Sequence, residues 1–169
     1  VLTLRLLLAR DPLPKRREAG GLLAEVPAIE DPAPQPETPT SHRVIFFDLE
    51  TQRSAEEVGG WHNAHLMRMA LAVIYDTQTE QFESFYENGV HRLIERLGEA
   101  DLVVGFNIIG FDYAVLRGYT DADLRTLPTF DMLAAIHQRL GYRLALGHLA
   151  EETLGASKGG DGLQSLVWW

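Results

Sequence analysis

Cysteine is absent from the 169 residues. That excludes disulfide frameworks and thiolate metal sites, and any metal must be held by oxygen or imidazole. Oxygen-rich sites favour magnesium or manganese over zinc. No apolar run approaches the roughly 20 residues that span a bilayer. The opening Val1–Leu8 is apolar, but it is short, is interrupted by Arg5 and lacks a small-residue cleavage site. These absences point to a cytoplasmic protein with no membrane partner. Positive charge is also scarce, with 15 Lys and Arg against 24 Asp and Glu and a formal net charge of −9. Non-specific binding to duplex nucleic acid usually needs clustered basic surface, so that mode is disfavoured. A carboxylate cluster loaded with divalent cations would reverse the local field and still meet phosphate. What the chain does have is 46% hydrophobic and 23% charged residues, the balance of one globular domain with a real core.

Two regions differ in character. Residues 1–42 contain Pro27, Pro32, Pro34, Pro36 and Pro39 and almost no aromatic residues. Proline fixes the backbone and removes donors, so this segment is expected to be an extended, disordered linker or N-terminal extension. Arg10, Lys15, Arg16 and Arg17 form a small basic cluster within it, read as a solvated face in preference to a nucleic-acid contact. The chain opens on valine, which suggests an upstream domain. From Arg43 the pattern becomes that of a folded domain, 43–169. Val44–Phe47 is a continuous β-branched and aromatic run suited to a buried central strand. Met67–Tyr75 and Gln81–Tyr86 predict a hairpin across the turn residues Asp76–Thr79. Helical spacing over Asn88–Leu97 puts Val90, Leu93, Ile94 and Leu97 on one face. Leu102–Val104 reads as a strand, Gly110–Gly118 as a helix, Thr126–Phe130 as a strand, and Asp131–Leu140 and Leu146–Leu154 as helices. A hairpin followed by alternating helices and strands makes a mixed α/β sheet flanked by helices.

Asp48 and Glu50 close the first strand, two residues apart and therefore on one face of the sheet. Open α/β sheets place ligands at this carboxyl-terminal edge of the strands. Adjacent carboxylates repel unless a cation sits between them. Phosphodiester hydrolysis uses such cations: two metals about 4 Å apart activate a water and stabilise the leaving oxygen. A lone Asp-x-Glu is also compatible with a solvated strand end. The second cluster, Gly105-Phe106-Asn107-Ile108-Ile109-Gly110-Phe111-Asp112, directly follows a strand. Its glycines let backbone approach a ligand, and Asp112 opens the next helix. On the residues alone, Asp112 is equally a helix N-terminal acid and Asn107 a turn residue.

Asp48-Leu49-Glu50-Thr51 resembles the first exonuclease motif of the DEDD superfamily, and Asn107-x3-Phe111-Asp112 resembles the second. Over roughly Arg43–Trp169 the chain is similar to the YprB-like branch, related to the proofreading domain of family B DNA polymerases. The resemblance implies a ribonuclease H-like fold. It also implies a 3′→5′ exonuclease acting on single-stranded DNA or RNA ends with two Mg²⁺ or Mn²⁺ ions. It assigns Asp48, Glu50 and Asp112 as catalytic metal ligands, with Asp48 bridging both ions. Thr51 and Asn107 would position the terminal nucleotide. The family's third motif, Tyr-x3-Asp or His-x4-Asp, does not follow Leu163, and no aspartate stands at that spacing after Tyr142, His137 or His148. We therefore expect a domain truncated at its C-terminus and of low activity in this form. A non-catalytic nucleic-acid-binding or scaffold module is the alternative, and a structure-specific endonuclease on the same fold a third possibility.

Other residues carry weaker signals. Asp131 reads as a helix N-cap in preference to a metal ligand. His62 and His65, beside Trp61, read as exposed loop residues in preference to a zinc site. Lys158 lies in a glycine-rich loop and is read as solvated. Trp168 and Trp169 are expected to pack under a further C-terminal helix.

Overall fold

The first strand, β1 (Val44–Thr51), alternates buried Ile45, Phe47 and Leu49 with half-buried Phe46, Asp48 and Glu50. Period-2 alternation of this kind lets one face enter a core while the other carries polar groups. The structure, a computed structural model, describes residues 42–155. The Pro-rich N-terminal segment, Lys158, Trp168 and Trp169 lie outside the described residues.

β1 is the middle of a five-stranded sheet ordered β3-β2-β1-β4-β5. β2 (Met69–Asp76) and β3 (Gln81–Tyr86) form the expected hairpin, antiparallel to each other, and β2 runs antiparallel to β1. β4 (Leu102–Gly105) is parallel to β1, and β5 (Thr129–Asp131) parallel to β4. The connection from β3 to β4 is α1 (Val90–Gly98), with Val90, Leu93 and Leu97 buried as the helical spacing predicts. α2 (Asp112–Leu116), α3 (Met132–Leu140) and α4 (Leu146–Leu154) follow. Phe47 stacks on Tyr113 of α2 with ring centroids 6.5 Å apart, and Met67, Met69, Ile74 and Leu116 complete that side of the core. Among the described residues no helix is long and apolar enough to cross a membrane.

Several boundaries differ from the sequence pattern, β5 among them, which begins at Thr129 because Leu124–Thr126 forms a 3₁₀ turn; two differ for backbone reasons. β2 starts at Met69, because Arg68 takes φ 60° and leaves the ladder. Opposite it, the β1–β2 register shifts between Glu50 and Thr51, and Gln52 and Arg53 donate instead to the carbonyls of Arg68 and Met67. Irregularities of this kind re-aim a strand end, and this one falls where the acids stand. The second is α2, which is shorter than Gly110–Gly118. The preceding turn is closed by Phe111 N–H donating to Asn107 O at 2.9 Å, and the regular helix begins only at Asp112.

A polar cluster fixes the base of this irregular edge. Glu87 accepts from Arg68, from the Tyr119 hydroxyl at 2.6 Å and from Gln52 Nε2 at 2.9 Å. Desolvation alone would raise its pKa, but the three donors outweigh it and hold the carboxyl at about 2. A folded-state value below the unfolded one means stability that is present above about pH 4.5 and lost as pH falls from there through about 2. The full shift would correspond to about 3 kcal/mol, reduced to about 1–2 kcal/mol by solvent at this half-buried site. Urea denaturation should therefore show Glu87→Gln costing that amount at pH 7 and almost nothing near pH 2. An equal cost at both pH values would contradict the assignment.

Candidate active site

The carboxyl ends of β1, β4 and β5 point the same way because the three strands are parallel. Pairing of β1 with β4 ends at Phe46 and Val104. β4 then turns away at Gly105, where a Cβ would stand 2.4 Å from Ile108 Cγ2 and 2.7 Å from Phe47 O. Only glycine lets this turn lie so close to β1.

Beyond that point a side chain takes over from the strand. The Leu49 amide donates to Asp112 Oδ1 at 3.0 Å. Asp112 is thereby held against β1 at the residue between Asp48 and Glu50. Asp112 is 3% exposed. Burial first, and then the negative charge of Asp48, push its pKa well above the ordinary range, with Asp131 adding in the same direction. The Leu49 hydrogen bond opposes the shift without cancelling it. Asp48, Asp112 and Asp131 thus come to this end of the sheet from three separate elements, β1, α2 and β5.

A cleft of about 610 Å³ opens beside them. It is lined by Glu50 and Thr51 from β1, Arg53 and Ala55 from the β1–β2 connection, and Asn107 and Phe111 from the β4–α2 turn, among others. The structure thus brings Glu50, Thr51 and Asn107 to the cleft, whereas Asp48 and Asp112 are not among the residues that line it. Thr51 Oγ1 donates to Arg53 O at 2.9 Å and shapes this rim. Asn107 has φ 65°, a left-handed backbone that asparagine tolerates better than most residues. Its Oδ1 accepts from Arg143 Nη2 at 3.2 Å and lies 2.8 Å from where a Cβ on Gly110 would be.

Trp61 also lines the cleft. It starts the 3₁₀ turn Trp61–Leu66, is 71% exposed and meets Phe111 edge-on at 5.8 Å. In sequence it stood only as a neighbour of two histidines. Those histidines contribute less: among the described residues, no three His, Asp or Glu side chains form a group that could hold a metal ion, so a zinc site at His62 and His65 gains no support. Asp131 is the N-cap of α3, as expected, accepting from Leu133 N and Ala134 N.

Asp48, Glu50 and Asp112 also form no such group, though carboxylates are the donor type that hard divalent cations take. Magnesium is commonly held by one or two carboxylates together with waters and substrate phosphate. A cation near Asp112 would offset the charge that Asp48 adds to the effect of burial.

These features define a ribonuclease H-like α/β domain with acids gathered at the carboxyl edge of a mixed sheet. In fold the chain is similar to the family B DNA polymerase from the hyperthermophilic archaeon Pyrobaculum calidifontis, with a TM-score of 0.57 and 14% identity over 80% of this chain and 22% of the polymerase. It also matches E. coli exonuclease I in complex with a dA16 oligonucleotide, with a TM-score of 0.42 and 15% identity over 58% of this chain and 30% of that chain. The chain therefore spans less than a third of either protein. No family model and no curated protein matches the sequence. At the level of fold, the ribonuclease H-like architecture expected from the sequence holds.

Proposed function

We propose that this cleft hydrolyses phosphodiester bonds at the 3′ end of single-stranded DNA or RNA, using two Mg²⁺ or Mn²⁺ ions. The observation that supports the proposal is the bond from the Leu49 amide to Asp112 Oδ1, at the residue that stands between Asp48 and Glu50 in sequence. Asp48, Glu50 and Asp112 would hold the ions, whose chemistry is to activate water and stabilise the departing oxygen. The chain's own residues do the rest. Asn107 and Thr51 orient the terminal nucleotide at the cleft wall. Arg53, exposed at the rim, meets phosphate and offsets the acidic surround. The Trp61–Phe111 pair offers an aromatic face to an unpaired base.

Base–aromatic stacking is worth about 1–3 kcal/mol. Trp61→Ala should accordingly raise KM about 5- to 100-fold on single-stranded substrate with little change in kcat, and Trp61→Phe should recover most of the loss. Equal KM values in all three proteins would remove Trp61 from the substrate path.

A second function, nucleic-acid binding without catalysis, is favoured by one observation: the described residues contain no group of three or more acids or histidines able to hold a metal ion. The two are separated by incubating a 3′-labelled oligonucleotide with the protein and Mn²⁺. Release of labelled mononucleotide that stops on chelation and in Asp48→Ala supports the exonuclease. Tight binding of an intact oligonucleotide supports the binding module.

A further inference from the structure

Asp131 does more than cap a helix. It ends β5 opposite Gly105 and is 6% exposed. Its Oδ1 accepts from Leu133 N at 3.0 Å and Ala134 N at 3.3 Å, in the first turn of α3. The same oxygen accepts from Asn107 N at 2.9 Å, and Oδ2 accepts from Ile109 N at 3.0 Å. An N-cap needs only the first pair. The second pair reaches back across 24 and 22 residues to the turn that carries the second motif.

That turn is where the backbone is under constraint. Asn107 is left-handed, a conformation that persists only when its surroundings over-determine it. From Asn107 the turn continues through Phe111 N–H donating to Asn107 O and Tyr113 N–H donating to Ile108 O, each at 2.9 Å. It arrives at Asp112, whose carboxylate takes the Leu49 amide. One buried carboxylate therefore sits at the start of a hydrogen-bonded path from β5 through the turn to β1.

We infer that Asp131 is a positioning residue for the site: its carboxylate, shared between α3 and the amides of Asn107 and Ile109, holds the turn in its left-handed shape and so sets where Asn107 and Asp112 stand relative to β1. Its effect on catalysis rests on the nuclease function proposed above. Its effect on the turn does not.

The test separates the cap from the latch. Serine is a good N-cap but is too short to reach the turn, so Asp131→Ser keeps the bonds to α3 and loses those to Asn107 and Ile109. Asp131→Asn keeps one acceptor oxygen and presents an amide donor to Ile109 N–H. Site-resolved amide hydrogen exchange should rise about tenfold at Asn107, Ile109 and Leu49 in Asp131→Ser, with Leu133 and Ala134 unchanged. Asp131→Asn should show the rise at Ile109 alone. Leu49 is the decisive amide, because a mere helix cap has no route to it. On single-stranded oligonucleotide with Mn²⁺, kcat/KM should fall about 10- to 100-fold in Asp131→Ser, more than in Asp131→Asn.

Unchanged exchange at Asn107 and Ile109 in Asp131→Ser would overturn the latch. Faster exchange there with Leu49 unaffected would overturn the positioning of Asp112. If the wild-type protein cleaves nothing, the exchange pattern still decides the inference, and the failure belongs to the nuclease proposal alone.

Discussion

Asp112→Asn is expected to make the protein more stable while removing the proposed cleavage activity. The amide keeps an oxygen for the Leu49 N–H, so the geometry of the turn survives. What it loses is a charge that burial and Asp48 both oppose. A carboxyl whose folded-state pKa is raised destabilises the native state as pH rises from the unfolded value, near 4, through the folded one. At pH 7 the asparagine variant avoids that cost, and about 1–2 kcal/mol of added stability should appear as a rise of roughly 5 °C or more in Tm. Cations should act on the wild type in the same direction: Mn²⁺ should raise its Tm and leave that of Asp112→Asn nearly unchanged. Activity should fall about 10³-fold or further, because a metal-bound oxygen is worth several kcal/mol of transition-state stabilisation. Calorimetry of both proteins with and without Mn²⁺, beside a cleavage assay, checks all of this. A destabilised Asp112→Asn that still responds to Mn²⁺ would show that Asp112 is a structural acid.

The largest stability loss is expected at the opposite end of the sheet. Asp76 is fully buried at the end of β2. It accepts from Arg43 Nε at 2.9 Å and Nη2 at 2.8 Å, and from Arg96 Nη2 at 3.0 Å. Its other oxygen accepts from Gln78 N at 2.9 Å and closes the β2–β3 turn. Glu99 bonds both arginines, and Glu83 bonds Arg96. The cluster ties the segment before β1 to α1 and to the hairpin. Asp76→Ala would leave two half-buried guanidinium groups without their one fully buried partner, with only the more exposed Glu99 still shared between them, at a cost of about 3 kcal/mol. Asp76→Asn should cost less, since the turn keeps its acceptor. Cleavage per folded molecule should not change in either variant, because Arg43 and Asp76 stand at the far end of β1 from the acids. Urea denaturation showing less than about 1 kcal/mol for Asp76→Ala would contradict the role given to this cluster.

How far the sequence revealed this protein depends on the range of each interaction. Strands and helices are local, and their periodicities showed: the run Val44–Phe47, the hairpin around Asp76–Thr79 and the buried face Val90–Leu93–Leu97 all formed as read. The two acidic motifs were legible because each sits within a few residues of a strand end. Contacts across tens of residues left no local trace. Asp76 looked like a turn residue, and only the fold brings Arg43 and Arg96 to it. Asp131 looked like an N-cap, and its bonds to Asn107 and Ile109 need β4 and β5 side by side. Trp61 gave no periodic signal because it lies in a 3₁₀ turn, and its place in the cleft follows from the contact with Phe111. Arg68 in the left-handed region shortened β2 where its apolar pattern ran on.

The central claim is a cation-dependent exonuclease that starts at the 3′ end. It is tested most directly by a time course on a 5′-labelled single-stranded oligonucleotide in Mn²⁺, beside the same strand carrying a blocked 3′ terminus. The account predicts a slow ladder, in keeping with the low activity expected of this form, that shortens one nucleotide at a time from the 3′ end, with no cleavage of the blocked strand, after chelation, or in Asp48→Ala. Internal cuts in the blocked strand, or tight binding with no shortening of either, would contradict it.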